Sequence, residues 1–407
     1  MNIKQKFTKD TLSMKASLIR ELVAKTKGIP GLISLAGGFP SPDTFPIDDI
    51  SSLFDKTILE DGRDIFQYGA SNGDTKLIDQ IKKFEGIEDY NDEEILITSG
   101  STNGIYLFSK CLVAPGESII CESPSFLGSL VTFEAADSNL IGIELDEEGI
   151  RADLLEEKII RVQKKGIDIK FMYLIPEFQN PTGITMSLQR RYAIIELAIK
   201  YDIPILEDNP YGALRYTGEA IPDMYKIARN EFNNNQIVTC VKSFSKILGP
   251  GLRLAYLIGH KDVIDYMGKW QQKITISADC VTQRVVANFI KDGLMDKQIE
   301  KLVEFYSPLR ETMLSAMERY MPKEIVWTKP EGGMFVWIDL PENIDGDKIF
   351  ELATKEKVAF IPGSKFYPTG TEKQNTMRLN FSYPTKKQIE IGVERIGNLL
   401  KKVIENS

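Results

Sequence analysis

The sequence Ser243-Phe244-Ser245-Lys246 follows an apolar run, Ile237-Val238-Thr239-Cys240-Val241, and Arg253 lies seven residues beyond the lysine. The β-branched run predicts a buried strand, which places both serines and the lysine at its carboxyl end. A lysine amine can form a Schiff base with an aldehyde, and hydroxyls beside a fixed guanidinium suit a phosphate dianion. Taken alone, a lysine at a strand end is far more often a solvated surface residue, so the interpretation of this segment depends on the rest of the chain.

Further apolar runs alternate with stretches of helical period through the middle of the chain. This alternation predicts the α/β class, with a mainly parallel sheet flanked by helices. In open sheets of this kind, ligand-binding groups collect at the carboxyl ends of the strands. The predicted strands span residues 95–98, 118–121, 171–175, 203–206, 237–241 and 252–258.

Beyond about residue 290 the pattern changes to a long helix, short strands and a closing helix, which indicates a separate α+β domain. We predict a large domain over residues 46–290 and a small domain over 291–407. Residues 1–45 form an N-terminal segment with a short amphipathic helix over 17–25 and a Gly/Pro-rich loop. This segment is expected to join the small domain and the active-site entrance.

The composition is that of an ordinary globular protein, with 407 residues, 43% hydrophobic and 27% charged. The net charge of -8 disfavours a surface for nucleic acid, and no apolar run is long enough to span a bilayer. We therefore expect a cytoplasmic protein with no nucleic-acid or membrane partner. Four widely spaced cysteines and one histidine, His260, predict neither disulfides nor a metal site.

Asp208 follows the predicted strand 203–206 and precedes Asn209-Pro210-Tyr211. One interpretation is an ordinary turn aspartate. The other is a buried carboxylate that keeps a pyridine nitrogen protonated, which makes the ring an electron sink. Tyr211, three residues on, would then hydrogen-bond the phenolic oxygen of the same ring.

Three weaker signals follow other predicted strands. Asn180-Pro181-Thr182-Gly183 is a generic turn, or a source of an amide for the same phenolic oxygen. Ser99-Gly100-Ser101-Thr102-Asn103 opens a helix, whose free N–H groups either serve only the helix or bind an anion. Phe126 is either a core aromatic or a ring that stacks on a bound cofactor.

These residues follow successive strand ends in one order, and the pattern resembles the class I/II aminotransferases of pyridoxal-phosphate fold type I. The resemblance covers nearly the whole chain and is strongest to the subgroup of 2-aminoadipate, kynurenine and aromatic aminotransferases. Other matching segments are Leu35-Ala36-Gly37-Gly38-Phe39-Pro40, Gln67-Tyr68 and Met377-Arg378-Leu379-Asn380-Phe381-Ser382.

The resemblance implies pyridoxal 5'-phosphate as cofactor and a seven-stranded, mainly parallel sheet in the large domain. It implies Lys246 as the Schiff-base lysine that moves a proton between Cα and C4′, Asp208 on the pyridine nitrogen, and Asn180 with Tyr211 on the ring oxygen. The phosphate would be held by Ser101, Thr102, Ser243, Ser245 and Arg253, joined by Tyr68 from the second subunit of a homodimer.

For the substrate, the resemblance implies that Arg378 binds the α-carboxylate, with Asn180 and Gly38 nearby. Strand alternation places Arg378 and Asn380 on one face, and a guanidinium offers a two-point grip on a carboxylate. Arg20 matches a subgroup arginine near the substrate side chain, or it is a solvated helix arginine paired with a nearby acid.

Two positions depart from the subgroup. Phe126 stands where tyrosine is common, and Ser101-Thr102-Asn103 stands where Ser-Gln-Gln is frequent.

The reaction that the resemblance implies is transamination between an aromatic, 2-aminoadipate or aliphatic L-amino acid and a 2-oxo acid such as 2-oxoglutarate. A β-lyase or cyclising synthase would use the same cofactor machinery. A non-catalytic sensor of the kind fused to DNA-binding domains is disfavoured by the acidic charge and the short segment before residue 32.

Overall fold

The structure is a computed structural model that describes residues 2–8, 11–12, 28–370 and 372–406. Arg20 and the helix predicted over 17–25 lie outside the described residues. The strands are β1 (Ile33–Ser34), β2 (Ile95–Thr98), β3 (Ser118–Ser123), β4 (Asn139–Asp146), β5 (Gly149–Ile150), β6 (Ile169–Leu174), β7 (Ile205–Asn209), β8 (Val238–Ser243), β9 (Ala255–Ile258), β10 (Val326–Trp327), β11 (Phe335–Asp339), β12 (Val358–Ala359), β13 (Ile361–Pro362) and β14 (Thr376–Asn380).

The α-helices of the described residues alternate with these strands in the first two thirds of the chain. They are α1 (Ile47–Ile65), α2 (Thr75–Glu85), α3 (Ser101–Leu112), α4 (Leu127–Ala135), α5 (Ala152–Gln163), α6 (Leu188–Tyr201), α7 (Met224–Glu231), α8 (Lys261–Ile274), α9 (Cys280–Lys291), α10 (Leu294–Tyr320), α11 (Gly346–Lys355) and α12 (Lys386–Glu405). None of them is long and apolar enough to cross a membrane.

The main sheet has the strand order β2-β9-β8-β7-β6-β3-β4-β5. Strands β4, β3, β6, β7 and β8 run parallel to one another, whereas β9 is antiparallel to both β8 and β2. The prediction of a mainly parallel sheet in an α/β fold is confirmed, with the two-residue strand β5 added to the seven longer strands at one edge. Every residue of β7 is buried, as expected of a strand covered by helices on both faces.

Two local signals show how helices are delimited around this sheet. The Asp74 carboxylate caps α2 by accepting from the Lys76 backbone N–H at 2.8 Å. Gly86 ends the same helix with φ 65°, a left-handed conformation that costs glycine little. These two residues set the beginning and the end of α2.

A second sheet, β10-β11-β14-β13, lies in the C-terminal part of the chain, and β1 pairs in parallel with β12. The backbone N–H of Asn380 donates to the Leu35 carbonyl at 2.8 Å. These contacts fix the loop after β1 beside β14 and bring it toward the carboxyl ends of the main sheet. The domain boundaries proposed from the sequence stay predictions.

Candidate active site

Lys246 lies on the 3-10 turn Phe244–Lys246, directly after β8. Its Nζ donates to the Gly38 carbonyl at 3.1 Å and lies 5.9 Å from the centroid of the Tyr211 ring. Burial, together with the nearby charges of Arg378 and Arg253, lowers the pKa of Lys246 to about 8, against the charge of Asp208, which raises it. Lys246 is thus an amine that loses its proton readily near neutral pH.

Asp208 is the penultimate residue of β7 and only 2% exposed, so the strand extends past the end predicted from the sequence. Its Oδ2 accepts from the Tyr173 hydroxyl at 2.5 Å. Its Oδ1 is buried and has no partner among the described residues. Burial raises the pKa of Asp208 to about 7, against the Tyr173 hydrogen bond and the Lys246 charge, which both lower it.

Arg378 and Asn180 join the two parts of the site. Arg378, on β14 and 2% exposed, donates from Nη1 to Asn180 Oδ1 at 3.0 Å and from Nη2 to the Ala36 carbonyl at 3.0 Å. Its guanidinium lies over the Phe335 ring at 4.2 Å, and its Nε has no partner within the described chain. Burial lowers the pKa of Arg378 to about 10.

The Asn180 amide also donates from Nδ2 to the Tyr211 hydroxyl at 3.4 Å. Tyr211 is 4% exposed, and burial raises the pKa of its phenol. Tyr211 therefore remains a neutral hydroxyl beside an amide, and both groups can hydrogen-bond an oxygen placed between them.

The start of α3 and Arg253 form a cradle for an anion. Gly100 precedes the helix with φ 88°, and a Cβ built there would lie 2.4 Å from Arg253 Nη2. The positive φ favours glycine here, and the missing side chain leaves room for the guanidinium at the start of the helix, where the N–H groups of Ser101 and Thr102 are free. On the adjoining turn, Ser243 Oγ accepts from the Ser245 backbone N–H at 3.2 Å, which holds that segment in place.

The structure places the remaining predicted residues more loosely. Phe126 is half-buried at the start of α4, with its ring against Gly128. Tyr68 follows α1 and is 79% exposed, so nothing in the described chain covers it. The Gly38 carbonyl accepts from Lys246, as described above. Arg20 lies outside the described residues.

Tyr173, on β6, was not predicted to contribute to the site. It is fully buried, and its hydroxyl accepts from Ser129 Oγ at 2.8 Å while it donates to Asp208. The available signal was a tyrosine inside the apolar run Phe171-Met172-Tyr173-Leu174, because a buried phenol needs a hydrogen-bond partner. The sequence did not identify that partner.

These groups fit pyridoxal phosphate. The buried, unpaired Oδ1 of Asp208 is an acceptor suited to a protonated ring nitrogen, since buried polar atoms rarely remain without a partner. The amide of Asn180 and the hydroxyl of Tyr211 suit the ring oxygen, and the cradle at Gly100 suits a phosphate. Lys246 supplies the amine that an aldehyde requires.

Comparisons with known proteins agree with this chemistry. The family model for aminotransferase class I and II matches residues 31–396. Aromatic-amino-acid aminotransferase 1 of Thermococcus litoralis is 38% identical over 400 residues, which cover 97% of this chain and 94% of that protein. The crystal structure of a multiple substrate aminotransferase from Thermococcus profundus superposes with TM-score 0.94 at 37% identity and covers 100% of both chains.

An α-aminoadipate aminotransferase from Thermus thermophilus, solved with N-(5'-phosphopyridoxyl)-L-leucine, superposes with TM-score 0.90 at 31% identity over 100% of both chains. The fold is that of the fold type I pyridoxal-phosphate enzymes. The chain belongs to the aminotransferase class I and II family. It is a pyridoxal-phosphate-dependent aminotransferase, which confirms the enzyme class and the cofactor predicted from the sequence.

Proposed function

We propose that this enzyme transfers the amino group of aromatic, aliphatic and 2-aminoadipate-like L-amino acids to a 2-oxo acid such as 2-oxoglutarate. The proposal depends mainly on the approach of Lys246 and Arg378 to one short loop. Lys246 Nζ donates to the Gly38 carbonyl at 3.1 Å, and Arg378 Nη2 donates to the Gly37 carbonyl at 3.3 Å. An amino acid whose α-carboxylate is bound by Arg378 would therefore present its Cα to Lys246.

The bound cofactor supplies an electron-withdrawing ring that stabilises negative charge on the substrate's Cα. In the proposed mechanism Lys246 Nζ takes the proton from this Cα, and its lowered pKa makes the neutral amine available near pH 8. Arg378 holds the α-carboxylate in a bidentate contact once the weak carbonyl contacts of the loop are exchanged for the substrate.

Asp208 is proposed to keep the ring nitrogen protonated by accepting a hydrogen bond from it. Asn180 and Tyr211 are proposed to hydrogen-bond the ring oxygen. Phe126 would stack on the ring. The phosphate contacts are proposed for Ser101, Thr102, Ser243, Ser245 and Arg253. The position of the first two at the start of α3, beside an arginine, supports this assignment because a helix N-terminus favours an anion.

We also propose a homodimer in which Tyr68 reaches the partner's phosphate. Support comes from large apolar side chains that are exposed on α1, on the loop after it and at the end of α8, where Gln271 Nε2 donates to the Ser71 carbonyl at 2.6 Å and places that end of α8 beside the loop. A group of this kind marks a protein interface more often than open surface. Its members are Leu59 (86% exposed), Phe66 (69%), Tyr68 (79%), Ile274 (49%) and Ile276 (44%). A purified monomer with full activity at nanomolar concentration would rule out the dimer.

The cytoplasmic location of the protein stays a prediction.

Two measurements test the chemistry. Borohydride reduction of the holoenzyme should fix the cofactor to the peptide that contains Lys246, and recovery on any other lysine would contradict the assignment. A half-reaction screen, which follows the loss of the bound aldehyde's absorbance with individual amino acids, should identify the amino donors. If no amino acid lowers the absorbance of the bound aldehyde, the proposed transamination is wrong.

For substrate choice, we propose that Arg20 attracts the distal carboxylate of acidic substrates and leaves room for aromatic or aliphatic ones. A charge-assisted hydrogen bond of about 1.5–3 kcal/mol corresponds to roughly 10- to 150-fold in rate. We expect Arg20→Ala to lower kcat/KM by that factor for 2-aminoadipate, glutamate or 2-oxoglutarate, and to spare leucine and phenylalanine. An equal effect on both classes, or none, would assign Arg20 to the surface.

A further inference from the structure

We infer that Tyr173 is a positioning residue of the active site, whose hydroxyl orients the Asp208 carboxylate so that one oxygen remains directed to the cofactor's ring nitrogen. This inference rests on the role proposed above for Asp208. Tyr173 lies on β6, the neighbour of β7 in the sheet, so the two side chains come from adjacent strands.

The hydroxyl of Tyr173 is held on both sides. It donates to Asp208 Oδ2 at 2.5 Å and accepts from Ser129 Oγ at 2.8 Å. Tyr173 is 0% exposed and Ser129 is 1% exposed, so no solvent competes for these bonds. The ring packs edge-to-face against Phe133, with centroids 5.2 Å apart. Packing and hydrogen bonds therefore fix the position of the phenolic oxygen.

The two oxygens of Asp208 are chemically equivalent until a neighbour distinguishes them. Tyr173 takes Oδ2, which leaves Oδ1 buried and without a partner in the described part of the chain. Without the hydroxyl, the carboxylate would be free to rotate about its last torsion, because that torsion is broad for aspartate. One phenol thus decides which oxygen is available to a ligand.

The hydroxyl also decides how tightly Asp208 holds its own proton. A donor to a carboxylate favours its charged form, which counters the burial that raises the pKa of Asp208 to about 7. Burial, and next the Asp208 charge, raise the pKa of the Tyr173 phenol well above its usual range, so it stays a donor at working pH. Without Tyr173, Asp208 would compete more strongly with the ring nitrogen for the shared proton.

The test is Tyr173→Phe, which removes the hydroxyl and keeps the ring. In holoenzyme loaded with ¹⁵N-labelled pyridoxal phosphate, the ring-nitrogen chemical shift reports protonation directly. We expect this shift to move toward that of a neutral pyridine. We also expect kcat to fall roughly 10-fold, as for the loss of one hydrogen bond to a charged group, with KM changed less than about threefold. A folded variant with the parent's nitrogen shift and kcat would overturn the inference.

The matched control is Tyr256→Phe. Tyr256 is 3% exposed, and its hydroxyl donates to the Glu85 carboxylate at 2.5 Å, so the same kind of bond is lost away from the ring nitrogen. This variant should keep the parent's nitrogen shift. If both tyrosine variants shift the signal equally, the effect is general loosening and Tyr173 has no special role.

Two further variants separate the remaining outcomes. Asp208→Ala should move the nitrogen signal furthest, and if it moves nothing, the role proposed for Asp208 fails. A shift in Asp208→Ala without one in Tyr173→Phe overturns only the inference about Tyr173. If Tyr173→Phe fails to fold, Ser129→Ala tests the inference instead, because it removes the hydrogen bond to the Tyr173 hydroxyl and does not change Asp208. It should move the signal in the same direction by less, and an unmoved signal would reject the inference.

Discussion

Lys242 and Lys246 are four residues apart on one segment and have opposite surroundings. Lys242 Nζ donates to Glu85 at 2.7 Å and to Asp223 at 2.9 Å. Burial would lower the pKa of Lys242, but these carboxylates outweigh it and raise the pKa well above the usual value. Lys246 donates to a neutral backbone carbonyl, and burial lowers its pKa to about 8, aided by the charges of two nearby arginines.

Both lysines are largely removed from solvent, so charge partners, and not burial alone, separate a structural lysine from a reactive one. Both side chains leave the carboxyl end of β8 or the turn after it. Carboxylates beside Lys242 outweigh its burial and hold it in its charged form, whereas burial and the nearby cations both favour the neutral amine of Lys246. Substitution of Lys242 should therefore lower the stability of the fold, whereas substitution of Lys246 should lower the rate of catalysis.

The largest effect is expected from Lys246→Ala. On the role proposed for Lys246, loss of the amine removes both the covalent attachment of the cofactor and the group that moves the Cα proton. We expect transamination to fall by roughly 10⁴-fold, the upper range for one acid–base group, while circular dichroism remains that of the parent. Turnover within tenfold of the parent would show that another residue does this chemistry.

Asp208→Ala should rank next. On the role proposed for Asp208, its buried charge serves the cofactor's ring and not the packing of β7, so turnover should fall roughly 10²- to 10³-fold with little change in the unfolding midpoint. Steady-state kinetics and urea unfolding on the same preparation check both parts. A variant that transaminates within a few-fold of the parent would contradict the role on the ring nitrogen.

The sequence predicted Lys246 and Asp208 because each lies just beyond an apolar run, where a charged residue is easily recognised. Strand β2, Ile95–Thr98, was predicted to the residue. Strand β4 was missed, since it lies near the sheet's edge and carries polar and half-buried positions. The partner of Lys242 was missed for a different reason. Glu85 is 157 residues away, and local pattern contains no information on contacts at that range.

The third effect is a loss of stability from Lys242→Met. Removing the ammonium takes the closest cation from Glu85 and Asp223 and leaves Lys226 Nζ 3.8 Å from Glu85, and breaking a buried pair costs about 3–5 kcal/mol. The Lys242 side chain is 16% exposed, so we expect the lower end, about 3 kcal/mol, by urea unfolding at saturating cofactor. Activity per folded enzyme should stay within a few-fold of the parent.

The control is Lys56→Met, which breaks an ion pair with Asp292 at 3.4 Å. The Lys56 side chain is 47% exposed, so this change should cost less than about 1 kcal/mol. Equal losses in the two variants would mean that the carboxylates around Lys242 relax into solvent, and the contrast between the lysines would then be one of reactivity alone.

The smallest effect is the pH dependence of amine reactivity in the cofactor-free protein. Only the neutral amine reacts, so the acetylation rate of Lys246 should rise about tenfold per pH unit up to about pH 8 and then level off, because its pKa is lowered to about 8. The raised pKa of Lys242 predicts a rate that still rises at the highest pH tested, because its carboxylate partners hold the proton. Competitive labelling followed by peptide mass spectrometry measures both lysines in one sample. Parallel profiles would show that burial and the nearby cations do not lower the pKa of Lys246 relative to that of Lys242, and the electrostatic contrast between the two lysines would be wrong.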